Sequence, residues 1–356
     1  MPSSLFDQSA LVAIAEELVA AARRAGADAA EAIAVRGVSQ SIEVRQGTVE
    51  ESERSEDDDV GLRVLVGRRQ AVVSTNDLAH EGADALAERA IAMARVAPED
   101  PFAGLADPDL LARERPELDL LDPDMPSVRE LEERAQAAEA AALAVTGVTK
   151  SGGASASAGI GGMVLVMSTG FIGRYLGSRH SVSMQAIAGE GTAMERDYDY
   201  SSAVYAADLD SPEVIGRNAG ERAVKRLNPR KVPTQRAPVI YHAQRGVSST
   251  PSPGPSNVHL EPGSATPEAF IKDVEQGLYV TDLIGMGVNM VTGDYSRGAA
   301  GFWIERGELT FPVSEITIAG NLADMFRSLQ PANDLTFRYG INAPTVRVEG
   351  LTIAGL

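Results

Sequence analysis

Apolar residues recur at helical spacing over residues 10–25, where Leu11, Ile14, Ala15, Leu18, Val19 and Ala22 share one face; the pattern stops at Gly26. From Ala30 the period changes to two. Segments 30–36, 39–47, 60–67 and 70–75 alternate apolar and polar positions between Gly37, Gly47 and Gly67, which predicts an antiparallel meander. Ile42 and Val44 fall on one face of it, Glu43 and Arg45 on the other, as in a sheet with one wet side. A second helix is expected from a cap at Asn76 or Asp77 to Val96, and a third from the Ser127–Glu130 capping box to Val145.

Residues 98–126 follow neither period and hold six of the 19 prolines, so they read as a long connection. Beyond it strand patterns dominate, through 148–203 and again in the tail. Ser211-Pro212-Glu213 and Thr266-Pro267-Glu268 each open a helix with a cap, an N1 proline and an early acid. Residues 301–313 form a hairpin turning at Arg306-Gly307, and further strands are expected near 314–319, 334–339 and 345–349. The fold class is α+β: two domains with largely antiparallel sheets flanked by helices. The N-terminal one covers 1–145, and a β-rich C-terminal one covers 146–356.

Composition narrows the chemistry. The 356 residues contain no cysteine, which excludes disulfides, thiolate metal sites and a cysteine nucleophile. With 32 basic and 50 acidic residues the formal charge is −18, concentrated in the runs 50–59 (net −6) and 98–126 (net −7). No basic stripe is present to neutralise phosphates, so no direct nucleic-acid binding is expected. No apolar run is long enough for a membrane span and the first residues lack a signal-peptide pattern, so the expected location is cytoplasmic.

Candidate catalytic residues are sparse. His80-Glu81 opens like a zincin helix but has no second histidine at the required spacing. His180 on a strand offers a general base without a G-x-S-x-G nucleophile, and His242 and His259 lie in separate segments. Glu195, Asp197 and Asp199 share one face of a strand, which reads either as a cation or arginine site or as a solvated face over a tyrosine-lined core. The glycine-rich run 151–162 lacks both nucleotide fingerprints and reads as a flexible or tightly turning β connection. The proline-rich run 248–263 reads as a linker or a cleft wall. In 291–307, Asp294, Tyr295, Ser296 and Arg297 lie between glycines near the only tryptophan, Trp303. That pattern suits either close approach to a ligand or a tight turn.

The segments 277–326, 194–203 (MERDYDYSSA), 245–263 (RGVSSTPSPGPSNVHLEPG) and 41–52 (SIEVRQGTVEES) strongly resemble the TldD/TldE (PmbA) family, on its TldE side, whose members are often labelled modulators of DNA gyrase. The resemblance implies a TldD–TldE heterodimer acting as a zinc metallopeptidase on unfolded peptides, including peptide-antibiotic precursors and an antitoxin. The family's zinc ligands, an H-E-x-x-x-H helix and a distant cysteine, belong to TldD and have no counterpart here. The expected role is therefore a non-catalytic subunit, with no catalytic or metal residue and no cofactor of its own, and with zinc in the TldD-like partner. Its expected partners are that subunit, the unfolded peptide and a second copy of the chain. Asp294, Tyr295, Ser296, Arg297 and Trp303 are the expected substrate or partner surface. Two alternatives stand beside this: an autonomous metallopeptidase using His242, His259 and nearby carboxylates, or a gyrase-binding protein. In the family a sizeable block follows the strand that PVIYH (238–242) resembles; here that block is missing after Tyr241-His242, through a deletion or through residues the recorded sequence omits.

Overall fold

The alternating segments of the N-terminal half become very long strands. The computed structural model describes residues 7–77, 82–113, 116–241, 258–285, 287–289, 292–337 and 341–355; His80, His242 and 248–256 lie outside them. The chain divides into two compact units, residues 1–188 with 196–222, and 189–195 with 223–356.

The first unit begins with helix α1 (Ser9–Arg24), followed by strands β1 (Ala29–Arg45), β2 (Thr48–Val66) and β3 (Arg69–Thr75) and helix α2 (Ala83–Val96). After the connection come α3 (Val128–Leu143), β4 (Val148–Met167), β5 (Ile172–Ala188), β6 (Glu195–Ala203) and α4 (Pro212–Lys225). The strands form one sheet in the order β3-β2-β1-β4-β5-β6. The sheet therefore runs across residue 145, where the sequence pattern suggests a division, because β4 pairs with β1 from Glu31↔Met167 to Val44↔Ala154. Ala30, Ala32 and Ala34 are fully buried on the face that α1 and α2 cover. Such small side chains let helices approach the sheet closely, and burying both apolar surfaces stabilises the layer.

Three local readings change. Segments 30–36 and 39–47 are one strand, since Gly37 continues the ladder rather than turning it. The acidic run 50–59 is also strand: its charges face solvent while its backbone pairs with β1 from Ser52↔Ile42 to Asp59↔Val35. The glycine-rich run 151–162 is the interior of β4, with Ala154, Ala156, Ala158 and Ile160 buried at alternate positions. The capping box on α3 is present as expected, with Ser127 Oγ accepting from the Glu130 N–H and Glu130 accepting from the Ser127 N–H. By contrast, α2 follows Gly82 and has no side-chain cap among the described residues.

The second unit holds β7 (Gln235–Tyr241), β8 (Val258–His259), α5 (Pro267–Lys272), β9 (Gln276–Ile284), β10 (Asp294–Glu305) and β11 (Glu308–Asn321). It ends with α6 (Leu322–Ser328), β12 (Gln330–Pro331), β13 (Ile341–Asn342) and β14 (Val346–Ala354). Strands β11-β10-β9-β7-β14 close into a ring through the pairing of β11 with β14 at Thr317↔Ala354 to Ala319↔Thr352. Closure removes the sheet edges. Most neighbours are antiparallel, but β7 and β9 run parallel. The hairpin turns at Arg306-Gly307 as expected, both at positive φ (49° and 80°). The expected strand near 334–339 is absent among the described residues 332–337. Val239, Leu278, Val280, Trp303, Ile316, Ile318 and Ile353 fill the ring.

Candidate functional site

Strand β10 carries all five residues singled out from the sequence. Its start is fixed by a clamp: Asn321 Nδ2 donates to the Thr292 carbonyl (3.0 Å), Leu322 N–H to the Gly293 carbonyl (2.7 Å), and Thr292 Oγ1 to the Asp294 carboxylate (2.7 Å). Gly293 sits at φ +78°, a conformation costly for other residues. Both edges of β10 are occupied. Asp294 to Arg297 pair with Asn321 to Ile318 of β11, while the Ser296 N–H donates to Gly287 and the Asn289 N–H to Asp294. A peptide therefore has no free backbone edge to join here.

The five side chains do not form one surface. Tyr295 and Trp303 are only 8% and 3% exposed and belong to the ring core. Asp294 and Ser296 are exposed. Arg297 shares the face of Tyr295 and Ala299 and is half-buried; its Nη2 donates to the Leu283 carbonyl at 3.4 Å and its buried Nε has no hydrogen-bond partner among the described residues. The burial of Tyr295 was legible in its alternation with Ala299, a signal outweighed by the flanking glycines. A small polar cavity of about 270 Å³ lies where β11 and β14 meet α6, lined by Arg236, Asn321, Asp324, Ser328 and Glu349 among others.

The carboxylate face of β6 is inverted relative to the solvated reading. Asp199 is buried and accepts from Asn218 Nδ2 (2.9 Å) and Arg222 Nη1 (3.1 Å) of α4, whereas Tyr198 is half exposed and stacks on Tyr200. Burial pushes the Glu195 carboxyl up, opposed by Arg226. The acids serve an intrachain contact that no local pattern reveals.

His180 is completely buried on β5. Its Nε2 lies 3.2 Å from Asp122 Oδ2, at ion-pair distance, yet neither ring nitrogen makes a well-oriented hydrogen bond among the described residues. Asp122 also accepts from the N–H groups of Asp124 and Ala206, and Ser178 Oγ bonds the Asp122 N–H and the Val204 carbonyl. So Ser178 is committed and His180 is sealed from substrate. The arrangement ties the connection to β5, which makes part of 98–126 internal. Burial lowers the His180 pKa from 6.5, with Arg134 adding to it and Asp122 opposing. The Asp122 carboxyl is held below 3.8: burial raises it, but the two N–H donors, His180 and Arg134 outweigh that.

These directions give one pH prediction. With its folded pKa depressed, His180 favours the unfolded chain as pH falls through 6.5, because the unfolded state then binds the proton more readily. Asp122 contributes stability above 3.8 that is lost as pH falls through its lower folded value. Melting temperature should therefore fall from pH 7 to pH 5, and His180→Gln should flatten that slope. An unchanged slope in the variant would remove His180 from the account.

Family models match three parts of the chain: PmbA/TldA metallopeptidase domain 1 over residues 30–94, the central domain over 121–227 and the C-terminal domain over 239–355. The metalloprotease PmbA of Escherichia coli is 32% identical, with 92% of each chain covered. The chain belongs to the PmbA/TldE family. That alignment extends over 416 positions, of which 92% of a 356-residue chain fills about 328, so roughly 90 positions of the E. coli protein have no counterpart. Solved folds agree with the family. A structure described as a modulator of DNA gyrase from Bacteroides thetaiotaomicron superposes with TM-score 0.88 at 23% identity, covering 98% of this chain and 99% of that one. TldE from Thermococcus kodakarensis gives 0.77 at 14%, covering 96% and 99%.

A metallopeptidase family implies a metal, and the described residues do not fit one. Among them, no group of three His, Cys, Asp or Glu side chains could hold a metal ion. His180 has the Arg134 cation nearby, and the Asp122 carboxylate beside it already receives two N–H groups. His259 lies edge-on against Phe337, with ring centroids 5.1 Å apart.

Proposed function

We propose that this chain is a non-catalytic, TldE-like subunit of a peptidase that trims unfolded peptides, with the zinc held by a TldD-like partner. One observation carries the reading: a chain of metallopeptidase ancestry has no cysteine, no H-E-x-x-x-H and no metal-competent cluster among its described residues. A catalytic zinc needs about three protein ligands around one open position. In this reading the outward-facing Asp294 and Ser296, with the half-buried Arg297, border the surface that meets the partner and its peptide. Elemental analysis of the purified chain tests the first half, with far less than one zinc per chain expected. Ser296→Arg tests the second: pairing with the catalytic subunit should be lost on a sizing column while the melting temperature of the isolated chain holds. Near-stoichiometric zinc, or undisturbed pairing, would overturn the corresponding half.

A further inference from the structure

The helices cover one face of the first sheet, and the strand registers define what lies on the other. Val35 pairs with Asp59 on one side and Met163 on the other, and Met163 pairs with Tyr175; Ile33 pairs with Leu165. These residues alternate with the buried Ala30, Ala32 and Ala34, so they share the opposite face. Ile33, Val35, Met163 and Tyr175 are 38%, 38%, 41% and 51% exposed, which makes a contiguous apolar patch.

Along β2 the same face carries Glu51, Glu53, Asp57 and Asp59, all exposed. Their neighbours are already neutralised: Glu43 pairs with Arg45, Glu31 with Arg63 and, on the helix side, Asp58 with Arg36 and Glu56 with Arg54. The four open-face carboxylates have no ion pair among the described residues. From Glu51 to Asp59 the row spans roughly 27 Å, with same-face neighbours ~6.7 Å apart. An extended peptide with basic residues at alternate positions repeats at that same spacing.

We propose that this open sheet face docks an extended cationic peptide, its basic side chains along the β2 carboxylates and an apolar end on Val35, Met163 and Tyr175. Charge complementarity selects the occupant. A second copy of a chain with formal charge −18 would bring a matching carboxylate row against this one. The inference is independent of the heterodimer reading and of β10.

The test uses the full chain at low salt and a fluorescein-labelled 12-residue peptide with lysines at alternate positions and a Leu-Phe end. Binding is followed by anisotropy. Glu53→Gln with Asp57→Asn should weaken binding about fivefold, as loss of two solvent-exposed charge contacts would. Glu56→Gln with Asp58→Asn removes the same charge from the helix-facing side of the same strand and should change it less than twofold. Met163→Ser should weaken this peptide and leave one lacking the Leu-Phe end unaffected. All these side chains are exposed, and an unchanged melting temperature confirms that each variant folds. Equal weakening by both charge pairs would reduce the effect to a diffuse field and overturn the proposal. Equal binding of a peptide with glutamine in place of lysine, or no effect of Met163→Ser, would do the same, as would dimers that the open-face variants dissociate.

Discussion

Gly301→Ala is expected to unfold the ring of the second unit. A Cβ at Gly301 would lie 1.9 Å from the Tyr279 carbonyl oxygen, 2.9 Å from its carbon and 3.0 Å from the Val280 Cα. All three are backbone atoms of β9, and β10 is held on its other side by β11, so no flexible side chain can yield. The ladder is already irregular between Ala300 and Gly301. Overpacking in well-packed cores costs about 1–3 kcal/mol, and a clash with fixed backbone falls at or beyond the upper end. Denaturant unfolding of the full chain should show the loss, while Gly298→Ala, with its nearest neighbour an ordinary 3.4 Å away, should be nearly silent. A small effect at Gly301 would mean that β9 and β10 are not registered as described.

The second large effect is expected at Glu139, a buried acid on α3. Its two oxygens accept from the N–H groups of Gln46 (2.8 Å) and Gly47 (2.6 Å), the turn between β1 and β2. Both turn residues have positive φ (56° and 76°), the conformation that suits tight hairpins and that Gln46 adopts at some cost. The carboxylate thus stabilises the turn that sets the register of two long strands. Glu139→Ala removes two charge-assisted bonds, a loss of about 3 kcal/mol. Glu139→Gln keeps one acceptor and should lose less. Hydrogen exchange at Gln46 and Gly47 separates the two causes: rapid exchange in Glu139→Ala is expected, and protected amides would show that the turn holds without the acid.

Features encoded locally were legible in the sequence. The Ser127–Glu130 box, the Thr266 cap and the Arg306-Gly307 turn each work through residues a few positions apart, and each appears in place. What escaped depends on partners distant in the chain. The acidic run 50–59 has no apolar alternation, and only pairing with β1 makes it a strand. The Asp199 partners lie on α4, 19 and 23 residues away, so the inward face of β6 could not be read from its own spacing. Asp122 meets His180 across 58 residues of sequence, so part of the long connection is a buried tie that its own residues do not announce. At β10 the glycines drew attention to a surface, but Gly301 is there because the backbone of β9 comes too close for a Cβ.

In the proposed reading this chain supplies no metal centre and cleavage depends on a second chain. Cleavage of an unfolded fluorogenic peptide by the purified chain, with and without an H-E-x-x-x-H-bearing family partner, tests it most directly. The expected result is no chelator-sensitive cleavage by the chain alone, and cleavage on mixing that is lost when the first histidine of the partner's motif is replaced. Chelator-sensitive cleavage by this chain alone, copurifying with its own zinc, would contradict the account.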